Sequence, residues 1–194
     1  MMSSNGIRSN ALDDVLRYTA ISLDMFNDRE LLNIYGRVVD LMEHAAAIGV
    51  LGFRSSYLLA QYFENRLLPT PINVVNLTDN ESFVFDRLLK LPKGSIIFAL
   101  ARWPYVARTI RVAEHEKSLG HDVILLTNHK DCEAKKFAKE VIITPRVEKC
   151  YSIVPFVVIM EAIINELYMR TSDYTLTQLN VINRTLEEQN SMIW

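Results

Sequence analysis

The sequence predicts an α/β protein: a three-layer αβα sandwich on a five-stranded parallel sheet, with the flavodoxin-like strand order 2-1-3-4-5. Short, uniformly apolar segments alternate with segments of helical periodicity through the middle of the chain, which is typical of a parallel sheet covered on both faces. Right-handed crossovers leave few arrangements for such units. The 194 residues contain no linker or repeat, so we expect a single domain over residues 1–194.

Two helices are predicted before the sheet. Apolar residues recur at three- and four-residue spacing over residues 12–26 and again over residues 31–45. Asn27 is suited to cap the second helix, and Glu30 is placed to complete a capping box. Residues 10–45 therefore form a helical lead into the sheet.

The sheet core is predicted over residues 46–145. Its five strands are short apolar runs, at residues 46–53, 72–77, 95–101, 123–127 and 141–144. Helices are expected between them at residues 55–68, 81–91, 106–119 and 131–138. In the first of these helices, the side chains of Leu58, Leu59, Tyr62 and Phe63 are expected to face inward. C-terminal helices at residues 153–170 and 176–189 fill the last part, residues 152–190, and Pro155 is tolerable because it falls in a first turn.

Composition excludes several classes of protein. The chain is 49% hydrophobic and 23% charged with a formal net charge of −2, so it is a poor nucleic-acid binder by electrostatics. The longest apolar stretch, residues 153–164, is too short to span a membrane and contains Glu161. No leader sequence is recognisable. Cys132 and Cys150 have no metal-ligand spacing, so we expect reduced thiols in a cytoplasmic protein with no membrane partner.

A ligand site is predicted where the strand order reverses. In open parallel sheets, ligands bind beyond the carboxyl ends of the strands at this switch point, which here lies between the first and third strands. Three loops should meet there: residues 52–56, residues 101–105 and residues 127–130.

The first of these loops has the features of an anion site. Gly52 allows a tight turn, and Ser55 and Ser56 open a helix whose free N–H groups and dipole favour an anion. Arg54 adds positive charge. The alternative is that Ser55 only caps the helix and Arg54 faces water.

The loop after the third strand offers a different chemistry. Arg102 is suited to bind a phosphate or carboxylate, and Trp103 and Tyr105 are suited to stack on a ligand. The alternative is an exposed arginine with both aromatic side chains packed at a subunit contact. His129 lies at the end of the fourth strand and is a weaker candidate for ligand contact.

A catalytic constellation is not recognisable in the sequence. There is no glycine-rich nucleotide loop, nucleophile elbow or Cys/His metal set, so no cofactor or metal is expected. An aldose–ketose isomerase needs a base over its substrate. Glu81, at the start of the helix after the second strand, is the candidate for that role, and a plain helix-start acid is the alternative.

The segment "IGVLGFRSSYLLAQYF" resembles the first strand, loop and helix of sugar isomerase (SIS) domains, closest to those of RpiR/MurR-type bacterial transcription regulators. Many of these carry an Arg-Ser-Ser-Tyr-x-Leu-Ala loop, matched here by Arg54, Ser55, Ser56, Tyr57, Leu59 and Ala60. The segment "GSIIFALARWPYVARTIRVAEHEKSLGHDVILLT" also has the family's shape, with Tyr105 and Thr109 in the family's Tyr and later Thr places.

The sequence departs from the commoner family pattern in two loops. Ala101 and Trp103 stand where the commoner third-strand loop has two serines, and Thr127-Asn128-His129 replaces Thr-Asp-Ser after the fourth strand. Together the residues and the resemblance give the expected ligand-binding set: Gly52, Arg54, Ser55, Ser56, Ala101, Arg102, Trp103, Tyr105, Thr109, Thr127 and Asn128.

The resemblance implies a non-catalytic, phosphosugar-binding sensor domain of a regulator of carbohydrate metabolism. It also implies a homodimer, with DNA contacted only through an N-terminal helix-turn-helix domain that is absent from this sequence, whether the chain is an excised domain or a stand-alone protein. An aldose–ketose phosphosugar isomerase and a degenerate SIS dimerisation module without ligand are the alternatives.

Overall fold

The computed structural model describes residues 10–26, 29–147 and 151–189. Within them lie five strands: β1 (Ile48–Leu51), β2 (Val74–Asn76), β3 (Ile96–Ala101), β4 (Asp122–Thr127) and β5 (Glu140–Ile143). The α-helices of the same ranges are α1 (Ala11–Asp24), α2 (Arg29–Glu43), α3 (Tyr57–Leu67), α4 (Val84–Leu88), α5 (Ala107–Ser118), α6 (Val154–Arg170) and α7 (Ser172–Glu188). The predicted cap at Asn27 and the thiol of Cys150 lie outside the described residues.

The strands form one parallel sheet in the order β2-β1-β3-β4-β5, which confirms the predicted fold class. β3 occupies the centre, where Ile96 pairs with Ile48 of β1 on one side and with Asp122 of β4 on the other. All of its residues are buried, because helices cover both faces of the sheet.

Two hydrophobic cores lie on opposite faces of the sheet. Alternate residues of β3 supply them: Ile96, Phe98 and Leu100 point into the first core, and Ile97, Ala99 and Ala101 into the second. The first core is closed by α2, α3 and α6, and the second by α4 and α5. This arrangement gives three layers and fixes which helices can reach each side of the strand ends.

Several elements are shorter or tighter than predicted. β1 forms over Ile48–Leu51 rather than residues 46–53, and residues 131–138 form only a 3-10 turn, Glu133–Lys136. Leu58 was expected to face inward, and this is wrong: its side chain is 65% exposed. The reason is that α3 buries Leu59, Ala60 and Phe63 on one side of the helix, and Leu58 lies on the opposite side.

The terminal helices carry apolar side chains outward. In α1, Leu12 and Leu16 are 64% and 60% exposed, and Ser22 is the residue that the helix buries. In α7, only Thr175 is buried among the residues that the structure describes. None of the helices in the described ranges combines the length and the apolar character that crossing a membrane requires.

Candidate functional site

A cavity of about 250 Å³ lies at the carboxyl edge of the sheet, where β1 and β3 end. This is the switch point of the strand order. Its walls are formed by Phe53, Arg54, Ser55, Ser56, Leu100, Arg102, Pro104, Tyr105, Val106 and Thr109. The structure thus brings six of the predicted binding residues to one cavity: Arg54, Ser55, Ser56, Arg102, Tyr105 and Thr109. Their role in ligand binding remains a prediction.

A tight turn after β1 delivers the two serines to this cavity. A Cβ on Gly52 would stand 2.4 Å from the carbonyl oxygen of Ser56, so the turn can close only on a glycine. Arg54 adopts a left-handed backbone conformation with φ 52°, which is uncommon for a residue with a side chain. The Ser56 amide then donates to the Phe53 carbonyl at 3.0 Å, and the chain enters α3 directly.

The end of β2 supports this turn from the neighbouring strand. The Gly52 amide donates to the hydroxyl of Thr78 at 3.3 Å, and that hydroxyl donates to Asn76 Oδ1 at 2.9 Å. Asn76 Oδ1 also accepts the Thr78 amide at 2.9 Å. We did not predict these two residues from the sequence; the available signal was an Asn-x-Thr at the end of a buried strand. They hold the glycine turn in place without lining the cavity.

Two hydroxyl groups in the cavity wall lack partners. Ser56 and Thr109 are 3% and 2% exposed, yet neither hydroxyl hydrogen-bonds to any residue that the structure describes. Neither oxygen is among the fully buried polar atoms that lack a partner, so both hydroxyls open onto the cavity. Since both residues line the cavity, an oxygen-rich ligand there would supply the missing partners.

Two helices begin at the cavity without the usual acidic or capping groups. Neither α3 nor α5 has an acidic residue in its first turn, and neither has a side-chain cap among the described residues. By contrast, α1 starts with Asn10, whose side chain accepts from the Asp13 amide at 2.8 Å. The dipoles of α3 and α5, with no acidic side chain in either first turn, therefore favour negative charge at the cavity.

Arginine side chains add to this preference for an anion. Arg54 and Arg102 line the cavity, and within the described ranges neither has a carboxylate within ion-pair distance. Arg108 lies nearby but is already paired with Glu81 at 3.6 Å, and its guanidinium stands 5.7 Å from the centre of the Phe53 ring. Glu81, the candidate base, is thus engaged in an ion pair and is not part of the cavity wall.

Arg102 is held from the side of α6. Its Nη1 donates to the Tyr151 carbonyl at 3.3 Å, just before that helix begins. Its Nε is buried and has no hydrogen-bond partner among the described residues. The guanidinium is therefore held in place by one hydrogen bond, and its Nε donor remains unused within the described residues.

Aromatic side chains brace the loop that follows β3. Trp103 stacks on His129 with ring centres 4.4 Å apart and an interplanar angle of 19°. Tyr105 meets Trp103 edge-on at 5.4 Å. Tyr105 lines the cavity, whereas Trp103 lies outside its wall. The ring that stacks on Trp103 is that of His129.

The loop after β4 holds the same segment by hydrogen bonds. Asn128 Oδ1 accepts the Trp103 amide at 2.7 Å, and the Thr127 hydroxyl donates to the Ala101 carbonyl at 2.7 Å. The Thr127 hydroxyl also accepts the His129 amide at 3.2 Å. These hydrogen bonds shape the loop through Ala101, Trp103, Thr127 and Asn128, which do not line the cavity. Ligand contact by these four residues stays a prediction.

Tyr105 presents a neutral phenol. Burial raises the pKa of Tyr105 above its ordinary value of 10.0, and the neighbouring Cys132 thiol adds to the rise. Cys132 itself is a free, buried thiol, as expected. At neutral pH the Tyr105 hydroxyl can therefore donate a hydrogen bond to a ligand oxygen.

A larger cavity of about 430 Å³ lies at the opposite, amino edge of the sheet. Its charged side chains already have partners: Arg37 pairs with Glu140 at 2.6 Å, and Lys139 with Asp122 at 2.5 Å. Asp40 is paired with Arg170 at 2.7 Å. Because these charges are compensated, the smaller cavity at the carboxyl edge is the better candidate for a charged ligand.

A doubly wound parallel sheet with a positively charged cavity at its switch point is an α/β domain of the kind that binds small ligands there. Residues 41–166 match the family model described as "SIS domain", and the chain belongs to this family. No functionally curated protein matches the sequence at a significant level.

Solved structures show the same fold. The sugar isomerase domain of an RpiR transcription factor from Sphaerobacter thermophilus is 20% identical, with a TM-score of 0.73 over 87% of this chain and 98% of that one. The NanR protein of Vibrio vulnificus, complexed with ManNAc-6P, is 16% identical with a TM-score of 0.76 over 94% and 70%. A phosphoheptose isomerase from Neisseria gonorrhoeae is 16% identical with a TM-score of 0.68 over 81% and 99%. Regulators and enzymes thus share the fold.

Proposed function

We propose that this chain is the phosphosugar-binding effector domain of a bacterial transcription regulator, and that it does not catalyse a reaction. The observation that carries the proposal is the pair of hydroxyls, on Ser56 and Thr109, that open onto a positively charged cavity and have no hydrogen-bond partner among the described residues. Membership of the SIS family and the fold shared with an RpiR regulator and with NanR support it.

The phosphate would sit where α3 and α5 begin. There Ser56 and Thr109 line the cavity, the dipoles of both helix starts favour an anion, and Arg54 supplies a full positive charge. Ser55 adds a further hydroxyl at the rim. Tyr105 would donate to a hydroxyl or ring oxygen of the sugar.

The composition of the cavity wall argues for a sensor rather than an enzyme. Among the described residues that line it there is no aspartate, glutamate or histidine. Aldose–ketose isomerisation requires a base within hydrogen-bond reach of the substrate. Without one, the site can bind a sugar phosphate and leave it chemically unchanged.

Ligand binding would regulate by shifting the balance between two arrangements of a homodimer. A ligand that binds one arrangement more tightly increases its population, and the attached DNA-binding domains follow. In this proposal the helix-turn-helix domain of RpiR-type regulators contacts DNA, the SIS domain contacts the sugar phosphate, and the protein acts in the cytoplasm.

A thermal-shift titration of the purified chain tests the proposal. The ligands are a panel of sugar phosphates, the matching free sugars and inorganic phosphate. A ligand that binds only the folded chain raises the Tm by mass action. At a ligand concentration a hundredfold above Kd, the free energy of unfolding increases by about 2.7 kcal/mol. We expect one or more sugar phosphates to raise the Tm and the matching free sugars not to.

The Ser56→Ala variant makes this test specific. Removing a hydrogen bond to a charged group should weaken binding by about tenfold or more. The matched control is Ser118→Ala, because the Ser118 hydroxyl donates to the His115 carbonyl at the far end of α5. If no sugar phosphate raises the Tm at millimolar concentration, the proposal fails and a dimerisation module without ligand takes its place.

An aldose–ketose phosphosugar isomerase is the second candidate, because phosphoheptose isomerase shares the fold. The assay is NMR detection of interconversion between sugar phosphates by the purified chain. Turnover that Glu81→Gln abolishes would establish the enzyme and overturn the sensor.

A further inference from the structure

The guanidinium of Arg102 forms no ion pair with any carboxylate of the described residues. We propose that it binds a second anionic group of the ligand, so that the ligand class is a sugar phosphate carrying an additional carboxylate or phosphate. This inference rests on the proposed function, since it takes the first anionic group to be the phosphate at Ser56 and Thr109.

The position of Arg102 separates it from part of the phosphate site. Arg102 directly follows β3 and continues the every-second-residue series of Phe98 and Leu100, whose side chains enter the first core. Its Nη1 donates to the carbonyl of Tyr151, just before α6 begins. Thr109 belongs to α5, which covers the opposite face of the sheet. The guanidinium and the Thr109 hydroxyl thus approach the cavity from different faces of the sheet, whereas Ser56, at the start of α3, lies on the same face as Arg102.

The hydrogen-bonding state of Arg102 points to an incoming acceptor. Nε is buried without a partner in the described part of the chain, and Nη1 has a single long bond of 3.3 Å to a backbone carbonyl. A guanidinium has five donors in a planar fork that matches a carboxylate or phosphate with two parallel bonds. Elsewhere such groups find carboxylates within the chain, as Arg37 does with Glu140 and Arg170 with Asp40.

The residues around Arg102 make a neutral sugar a poor occupant of this side of the cavity. Leu100 and Pro104, two residues before and two after Arg102 in the chain, line the cavity and offer no side-chain hydrogen bond. A sugar ring with several hydroxyls would leave most of them unsatisfied there. A carboxylate or phosphate bound by Arg102 would accept hydrogen bonds from the guanidinium, and both groups would then have hydrogen-bond partners.

Calorimetric titration of the full chain with two matched ligand pairs tests the inference. Sorbitol 6-phosphate and 6-phosphogluconate are open chains that differ by a carboxylate. Glucose 6-phosphate and glucose 1,6-bisphosphate are rings that differ by a phosphate. We expect the member with two anionic groups, in at least one pair, to bind at least about tenfold more tightly than the member with the phosphate alone, as a charge-assisted bidentate contact predicts. The pair that shows the gain identifies the second anion.

The Arg102→Gln variant should reduce that gain to about threefold or less while binding of the singly phosphorylated member changes little. Arg102→Lys, which keeps the charge but loses the fork, should retain part of the gain, and it also covers the case in which Arg102→Gln fails to fold. Arg111→Gln, an exposed position on α5 outside the cavity wall, is the control.

Each outcome has a distinct meaning. If sugar phosphates bind but the added anion gives no gain, or Arg102→Gln leaves the gain intact, the inference is overturned while the proposed function stands. If no sugar phosphate binds in either pair, and the wider panel is equally inactive, the proposed function fails and the inference fails with it.

Discussion

At the scale of single residues, the turn at Gly52 decides whether the cavity can form. A side chain at this position would meet the Ser56 carbonyl oxygen at 2.4 Å and the Ala60 Cβ at 3.2 Å. The backbone on both sides is fixed, by the Thr78 hydroxyl and by the start of α3. The turn therefore has little room to adapt.

We expect Gly52→Ala to lower the free energy of unfolding by about 1–3 kcal/mol, the usual cost of overpacking, and to weaken sugar phosphate binding. The control is Gly36→Ala in α2, where an added Cβ meets nothing within 4 Å; helix propensity predicts a gain of up to about 1 kcal/mol. Urea denaturation of the two variants measures both values. Equal stabilities of Gly52→Ala and the parent chain would show that the turn relaxes without cost.

Which site residues the sequence could reveal depends on how local their geometry is. Gly52, Ser55 and Ser56 follow an apolar strand at short spacing, so the sequence alone places them at the strand end. Thr78 and Asn76 act on Gly52 from another strand, and no local pattern encodes that contact.

At the scale of elements, α3 and α6 are joined by a polar cluster at the edge of the first core. The Tyr62 hydroxyl donates to the Glu161 carboxylate, which Arg66 also contacts at 2.8 Å. The Tyr168 hydroxyl donates to the Arg66 carbonyl. The hydrogen bond to Glu161 is the largest cause of a raised pKa at Tyr62, above the ordinary value of 10.0.

This raised pKa predicts an alkaline loss of stability. The neutral phenol is favoured in the folded chain, so its contribution is complete below pH 10 and is lost as pH rises from 10 through the folded-state pKa. We expect Tyr62→Phe to be less stable than the parent chain at pH 8, and the difference to shrink above pH 10. Denaturant midpoints across this range measure it; a difference independent of pH would contradict the assigned hydrogen bond.

Element boundaries were harder to predict than element order. The segment at residues 131–138 has helical periodicity, but only Glu133–Lys136 forms a turn, because it connects two adjacent strands over the second core. Leu58 was placed on the wrong side of α3 because four apolar residues lie close together there and the periodicity does not say which of them face the sheet. Packing against the sheet makes that choice.

At the scale of the whole molecule, the exposed apolar side chains of α1 are a feature that a monomer does not explain. Leu12, Leu16 and Leu23 recur on one side of the helix and remain exposed. Contiguous apolar patches of this kind commonly mark protein–protein contacts. They are consistent with the proposed homodimer.

We expect the double variant Leu12→Ser, Leu16→Ser to keep its fold but to shift from dimer to monomer in light scattering coupled to size-exclusion chromatography. Loss of buried apolar area at an interface weakens association, whereas loss of exposed area in a monomer costs little. Leu89→Ser is the control, since Leu89 is 77% exposed and lies at the end of α4. An unchanged dimer in the double variant would place the contact elsewhere.

Topology was predictable at this scale for a physical reason. Alternating strands and helices, right-handed crossovers and one switch point leave few ways to build the sheet, and residues 46–145 follow them. The charge balance of the cavity was not predictable, because it depends on which arginines find carboxylates in three dimensions. Within the part of the chain that the structure describes, Arg108 pairs with a carboxylate and Arg102 does not.

Trp103, which stacks on His129, places an intrinsic fluorophore in the loop beside the cavity. The chain has two tryptophans, Trp103 and Trp194, and Trp103 directly adjoins Arg102 and the cavity loop. With Trp194→Phe, the fluorescence of a single indole would report on this loop. Ligand occupancy and loop rearrangement become readable in real time, without any attached dye.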